Sequence, residues 1–134
     1  KSLAGNGYGM HVDNPYMPSG RSDLSFTLFL NNPEDYEGGS LCIQTINETK
    51  QIKLSAGEII IYPSTQLHSV SQVKKGERFV CVGWIQSYVQ NNEDRNFLFG
   101  LDAGAKGLLA KHGRSDELDL IFQAYSNLLR RLGD

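Results

Sequence analysis

The stretch Gly57–Trp84, GEIIIYPSTQLHSVSQVKKGERFVCVGW, carries three apolar runs separated by YPSTQ and VKKGE. Each run is too short for an ordinary helix and is bounded by Pro, Gly and Lys. It therefore reads as three successive strands, Glu58–Tyr62, His68–Val73 and Arg78–Gln86, joined by tight reversals. Working outward toward the N-terminus, similar punctuation sets off Tyr8–Val12, Leu24–Leu30, Ser40–Gln44 and Gln51–Leu54. The connectors NNPEDYEGG, INETK and LSAGE are rich in residues that make short turns. Regularly spaced short strands predict an antiparallel sandwich or barrel.

After Gln90 the period changes. Asn91 or Asn92 can cap a short helix to about Leu101, with Glu93 and Asp94 in its first turn, where the helix dipole favours negative charge. Gly104, Gly107 and Gly113 predict a loop or a broken helix beyond it. After Ser115, Leu118, Ile121, Phe122, Tyr125, Leu128, Leu129 and Leu132 recur at helical spacing, and Gly133 follows as a stop. The expected organisation is a β core over residues 1–90 and a helical extension over 91–134 whose apolar stripe packs on that core.

At 134 residues the chain is the size of one domain, and its formal net charge of −2 comes without any long basic run. That balance argues against nucleic acid and against an anionic membrane as partners. No apolar run approaches the roughly 20 residues of a membrane span, and KSLAGNGYGM lacks the apolar centre of a signal peptide, so the chain reads as soluble and cytoplasmic. Cys42 and Cys81 fall inside strand-like runs and are expected to be free, buried thiols.

The chemistry concentrates in few residues. His11 and Asp13 stand two apart, and on a strand positions i and i+2 project to one side, so an imidazole nitrogen and a carboxylate oxygen can reach one ion. Alone the pair is equally a solvated strand edge. Of the two other histidines, His112 lies in the charged stretch AKHGRSDE and reads as a surface residue, whereas His68 opens a strand after a proline turn. A locally bonded core histidine is its plainer reading. Taken together, His11, Asp13 and His68 form the two-histidine, one-carboxylate set that leaves coordination positions open in non-haem Fe(II) oxygenases. Arg78 follows ten residues after His68 and shares a strand face with Val80, Val82 and Trp84. An arginine among apolar residues is costly unless it meets an anion. A dicarboxylate with one end on the metal would suit it, and a protein carboxylate is the alternative.

The order Tyr-x-x-His-x-Asp, a Gly-Gly turn, Ala-Gly-Glu with an apolar strand and Pro, His, then Arg leading to Trp resembles the Fe(II)- and 2-oxoglutarate-dependent dioxygenases. HVDNP, DLSFTLFLNNPEDYEGGSL, LSAGEIIIYPSTQLHSV, GERFVCVGWIQSYV, NFLFGLD and YSNLLRRL look like the PKHD-type hydroxylases, relatives of prolyl 4-hydroxylases, across almost the whole chain. The resemblance implies a mainly β, double-stranded β-helix (jelly roll, cupin-like) with C-terminal helices. It implies that His11, Asp13 and His68 bind Fe(II), that Arg78 binds the distal carboxylate of 2-oxoglutarate, and that Tyr8 lines the cosubstrate pocket. It implies hydroxylation of a peptidyl proline or lysine, or of a small molecule, with release of succinate and CO2 and with ascorbate as a candidate reductant.

Two departures stand out. Where related animal prolyl hydroxylases place a cosubstrate-holding tyrosine, this chain has Phe29, which leaves Ser25, Thr27 and Tyr8 as candidates for that hydrogen bond. The chain also looks to lack the N-terminal region that family members carry, so exposed sheet edges predict a homodimer or marginal stability. The loop Asn14–Asp23, flexible in composition, is expected at the substrate mouth. The rival reading is a non-catalytic cupin-like module that binds a metal or a small acid.

Overall fold

The structure, a computed structural model, describes residues 2–134. Its strands are β1 Tyr8–His11, β2 Tyr16–Met17, β3 Gly20–Arg21, β4 Leu24–Phe29, β5 Tyr36–Gly38, β6 Leu41–Gln44, β7 Thr49–Ile52, β8 Ile59–Pro63, β9 His68–Val70, β10 Val73–Gly76 and β11 Val80–Ile85. Helices α1 Asn92–His112 and α2 Asp116–Leu132 follow. The chain divides into two compact units, residues 1–86 and 87–134.

In the first unit two antiparallel sheets dominate, with strand orders β1-β9-β6-β7 and β11-β4-β8. Leu41 and Ile43 of one sheet and Tyr62 of the other form a single buried cluster, with Ile52, Val70 and Ile60 packed against it. The sheets thus face one another over a shared core. Register decides which side chains look inward, because strand residues alternate faces. On β4, Ser25 lies beside Trp84 and Tyr62, Thr27 beside Val82 and Ile60, and Phe29 beside Val80. The opposite face of the same sheet carries Leu24, Phe26 and Leu28 flanked by Pro63, Ile61 and Ile59 on one side and by Ile85, Gly83 and Cys81 on the other.

Several expectations need correction. The single strand His68–Val73 is two: β9 pairs with β1 and β6, whereas β10 pairs with β5 in a separate two-stranded sheet. The chain changes partner beside Gly38 and Gly39, at φ +73° and +65°, where a Cβ on Gly38 would run into the carbonyl oxygen of Gln72. Arg78 does not start a strand but precedes β11, in an isolated bridge to Ser2. The stretch Asn14–Asp23 is no plain loop. It holds the β2–β3 hairpin, whose base is tied by the Arg21 Nε–H on the Asp23 carboxylate at 2.8 Å and by the Ser22 N–H on the Pro15 carbonyl at 2.9 Å. Cys42 is buried as expected, but Cys81 is exposed, because it stands on the outer face of β11.

In the second unit α1 runs unbroken through Gly100, Gly104 and Gly107 to His112. Three glycines cost a helix about 1 kcal/mol each relative to alanine, which is why the sequence reads as a break. Packing against α2 offsets that cost, and Leu98 and Ala105 of α1 are buried. The Asn91 side chain caps α1 by accepting the Asp94 N–H at 3.0 Å. Ser115 caps α2 through the Leu118 N–H at 3.1 Å, and the Gly133 N–H closes it on the Leu129 carbonyl.

Candidate active site

Cross-strand pairing builds the site. His11 at the end of β1 and His68 at the start of β9 are direct partners in the ladder, and their rings stand 4.4 Å apart. Each imidazole Nδ1 lies against a backbone carbonyl two residues earlier, His11 on Gly9 at 2.7 Å and His68 on Gln66 at 2.8 Å. A carbonyl can only accept, so Nδ1 carries the proton and, in the neutral ring, Nε2 holds the lone pair. Both Nε2 atoms approach the same oxygen, Asp13 Oδ1, at 3.5 and 3.4 Å. One ligand atom from each of His11, Asp13 and His68 lies within 4.8 Å of the other two. Two imidazole lone pairs and one carboxylate oxygen on a single point suit a divalent first-row metal.

The other oxygen, Asp13 Oδ2, is already engaged. It accepts the Ser25 hydroxyl at 2.6 Å and the Trp84 indole N–H at 3.0 Å. Burial works to raise the Asp13 pKa, but these two hydrogen bonds and the charges of His68 and His11 outweigh it and hold the carboxyl below its ordinary range. Tyr62, packed edge-on to the His68 ring at 5.0 Å, is pushed up to about 12, first by burial and then by the charge of Asp13.

A cavity of about 260 Å³ opens beside the three residues, with Arg78, Tyr8, Thr27, Val80 and Val82 in its wall. Arg78 is only 2% exposed, and its Nε is buried without a hydrogen-bond partner. No carboxylate among the described residues pairs with it, which removes the ion-pair alternative left open by the sequence. Burial lowers its pKa, and its nearest electrostatic neighbours are the Tyr36 and Tyr8 hydroxyls. The guanidinium lies 5.9 Å from the centre of the Phe29 ring, so Phe29 packs beneath the cation where a hydroxyl was looked for. The Tyr36 hydroxyl is likewise buried, with Arg78 as its polar neighbour, and burial raises its pKa.

The structure therefore brings His11, Asp13, His68, Arg78 and Tyr8 to one cavity, although Tyr8 is 61% exposed. His112 ends α1 and is exposed. Ser25 is not free to meet a cosubstrate, because its proton goes to Asp13. Sequence reasoning placed Trp84 on the Arg78 face but not its bond to Asp13, and it missed Ser64 and Tyr36. The signal for the inward polar row was present in LSFTLF, where Ser25 and Thr27 alternate with apolar residues.

This fold and donor set define a class, and residues 2–86 match the 2OG-Fe(II) oxygenase superfamily model, so the chain belongs to that family. A PKHD-type hydroxylase of Prochlorococcus marinus strain NATL1A is 88% identical over all 134 residues, and one from strain MIT 9211 is 76% identical. The chain spans 61% of the length of each. Among solved structures, a Pseudomonas putida prolyl-4-hydroxylase superposes with a TM-score of 0.52 at 24% identity, over 63% of this chain and 47% of that one. A prolyl 4-hydroxylase from Phytophthora capsici gives 0.53 at 17% identity, over 98% of this chain and 53% of that one. Identities this low speak to the fold alone, which is the double-stranded β-helix with two C-terminal helices.

Proposed function

We propose that the chain is the catalytic part of a 2-oxoglutarate-dependent dioxygenase that hydroxylates a C–H bond of a peptidyl proline or lysine, or of a small molecule. In the balanced reaction, substrate, O2 and 2-oxoglutarate yield hydroxylated substrate, succinate and CO2. The observation that carries this reading is Arg78, a buried cation with an unpaired Nε in the same cavity as His11, Asp13 and His68. A buried guanidinium is expensive without an anion, and its fork suits the distal carboxylate of a dicarboxylate.

In this reading His11 and His68 offer their Nε2 lone pairs and Asp13 its Oδ1 to Fe(II). When bound, Fe(II) supplies the electrons that activate O2, coupled to oxidative decarboxylation of 2-oxoglutarate. Arg78 orients the cosubstrate from the far end, Tyr8 lines the approach, and Val80 and Val82 make an apolar wall that limits water at the reacting atoms. The β2–β3 hairpin next to Asp13 is the proposed edge of the substrate entrance. Ascorbate as reductant, a cytoplasmic location and a homodimer belong to the same proposal. Among the described residues no helix is long and apolar enough to cross a membrane.

The decisive experiment is anaerobic addition of Fe(II) and then 2-oxoglutarate, followed by visible absorption, with His68→Ala and Arg78→Ala in parallel. A charge-transfer band that needs both additions, is lost in the first variant and demands more 2-oxoglutarate in the second is the expected result. Absence of the band from the wild-type chain would favour the non-catalytic binding module.

A further inference from the structure

Asp13 follows β1 in sequence and lies outside any strand, so no ladder hydrogen bond holds its backbone. What fixes its carboxylate comes from the three-stranded sheet: Ser25 from β4, Trp84 from β11 and, one residue past β8, Ser64. The proton positions follow from elementary chemistry. Indole N–H can only donate, and an ionised carboxylate can only accept. Ser25 has one proton, which goes to Asp13 Oδ2 at 2.6 Å. At the 2.8 Å contact between Ser25 and Ser64 the donor is therefore Ser64. The Ser64 backbone N–H is itself anchored on the Asp23 carbonyl at 3.0 Å, and the side chains of Ser25 and Ser64 lie in residues only 2% and 3% exposed. A directed chain from Ser64 through Ser25, joined by Trp84, thus saturates Oδ2 and leaves Oδ1 alone facing the two imidazoles.

We propose that Ser25 and Trp84 are positioning residues for the metal, with Ser64 fixing Ser25, and that together they restrict Asp13 to ligation through one oxygen. The proposal rests on reading His11, Asp13 and His68 as metal ligands. Holding Oδ2 away leaves free a coordination position that a two-oxygen carboxylate would occupy, and an oxygenase site needs such positions. Partners of this kind, one shell beyond the ligands, are typically worth 10- to 100-fold in metal affinity.

The test uses Zn(II) binding by calorimetry, with no cosubstrate and no turnover. Wild type should bind one ion and His68→Ala should not. Trp84→Phe keeps a ring and removes the N–H; Ser25→Ala removes the hydroxyl; each should bind about 10- to 100-fold more weakly, and Ser64→Ala should lose less. Circular dichroism and urea unfolding identify any variant that merely fails to fold, and of the two variants the folded one carries the test. A second readout is independent of affinity. Trp84 is the only tryptophan, so its indole N–H gives a single cross-peak in a ¹⁵N spectrum. That peak should move on Zn(II) addition with the calorimetric midpoint. Wild type that binds Zn(II) while both folded variants bind as tightly, or with the indole peak unmoved at saturation, overturns the positioning role alone. Wild type that binds no Zn(II) overturns the metal reading and this proposal with it.

Discussion

The two faces of the β11-β4-β8 sheet differ in what they bury. The inward face is studded with polar groups, Ser25, Thr27 and the hydroxyl of Tyr62, all in buried residues. The outward face, from Leu24, Phe26 and Leu28 to Ile59, Ile61, Pro63, Cys81, Gly83 and Ile85, has no charged side chain, yet Ile59 and Ile61 are about half exposed at 49% and 51%. A sheet that only had to fold would not need polar groups on the face it buries. Buried polar groups are the informative departure from average burial, and here they converge on Asp13 and the cavity beside it. An inner face that hosts the proposed site would accept a cost in stability for it.

The largest effect expected from this contrast is in packing. Phe29→Ala on the inner face removes a fully buried ring and should cost about 3–5 kcal/mol, while Ile61→Ala on the outer face should cost about 1 kcal/mol or less. Urea unfolding of the two variants measures both, and equal losses would break the distinction. Next comes a change that should uncouple stability from function. Arg78→Met replaces a buried cation that no carboxylate pairs by an apolar chain of similar length, so stability should hold or rise by about 1 kcal/mol while 2-oxoglutarate binding falls by two orders of magnitude or more. A variant that loses stability instead would mean that Arg78 is structural.

A smaller effect is alkaline. Tyr62 loses its proton near pH 10 when unfolded and near 12 when folded. Rising pH through that window therefore favours the unfolded chain; the stability is fully present below the lower value and lost toward the upper one. Tyr62→Phe should flatten this decline in urea midpoints measured across the window, and an unchanged decline would place the titration elsewhere. The smallest perturbation is chemical: Cys81, exposed on the outer face, should react with a thiol reagent in the native chain, and Cys42 only after unfolding.

Much of this was legible beforehand because short-range rules governed it. Period-two alternation put Arg78, Val80, Val82 and Trp84 on one side, and the structure keeps all four in the cavity wall although Arg78 stands outside the strand. His11 and Asp13 were readable as a pair, and His68 as their partner by elimination and by resemblance. What escaped depended on long-range partners. The division of β9 from β10 follows from competition between two sheets for one stretch of chain, and nothing within His68–Val73 announces it. The continuity of α1 through Gly100, Gly104 and Gly107 depends on packing against α2, and local propensity pointed the other way. Ser64 was invisible because its role exists only through Ser25.

The pairing of His11 with His68 has one more implication. β1 is an edge strand with all four residues exposed, and little apart from its ladder with β9 secures it. An ion shared by His11, Asp13 and His68 would act as a cross-link closing the long loop from residue 11 to residue 68, and closing a long loop removes much of the freedom of the chain. Metal release and detachment of the first strand then become two views of one event. A chelator would behave as a local denaturant, and amide exchange at Tyr8–His11 would serve as a gauge of how much metal the protein holds.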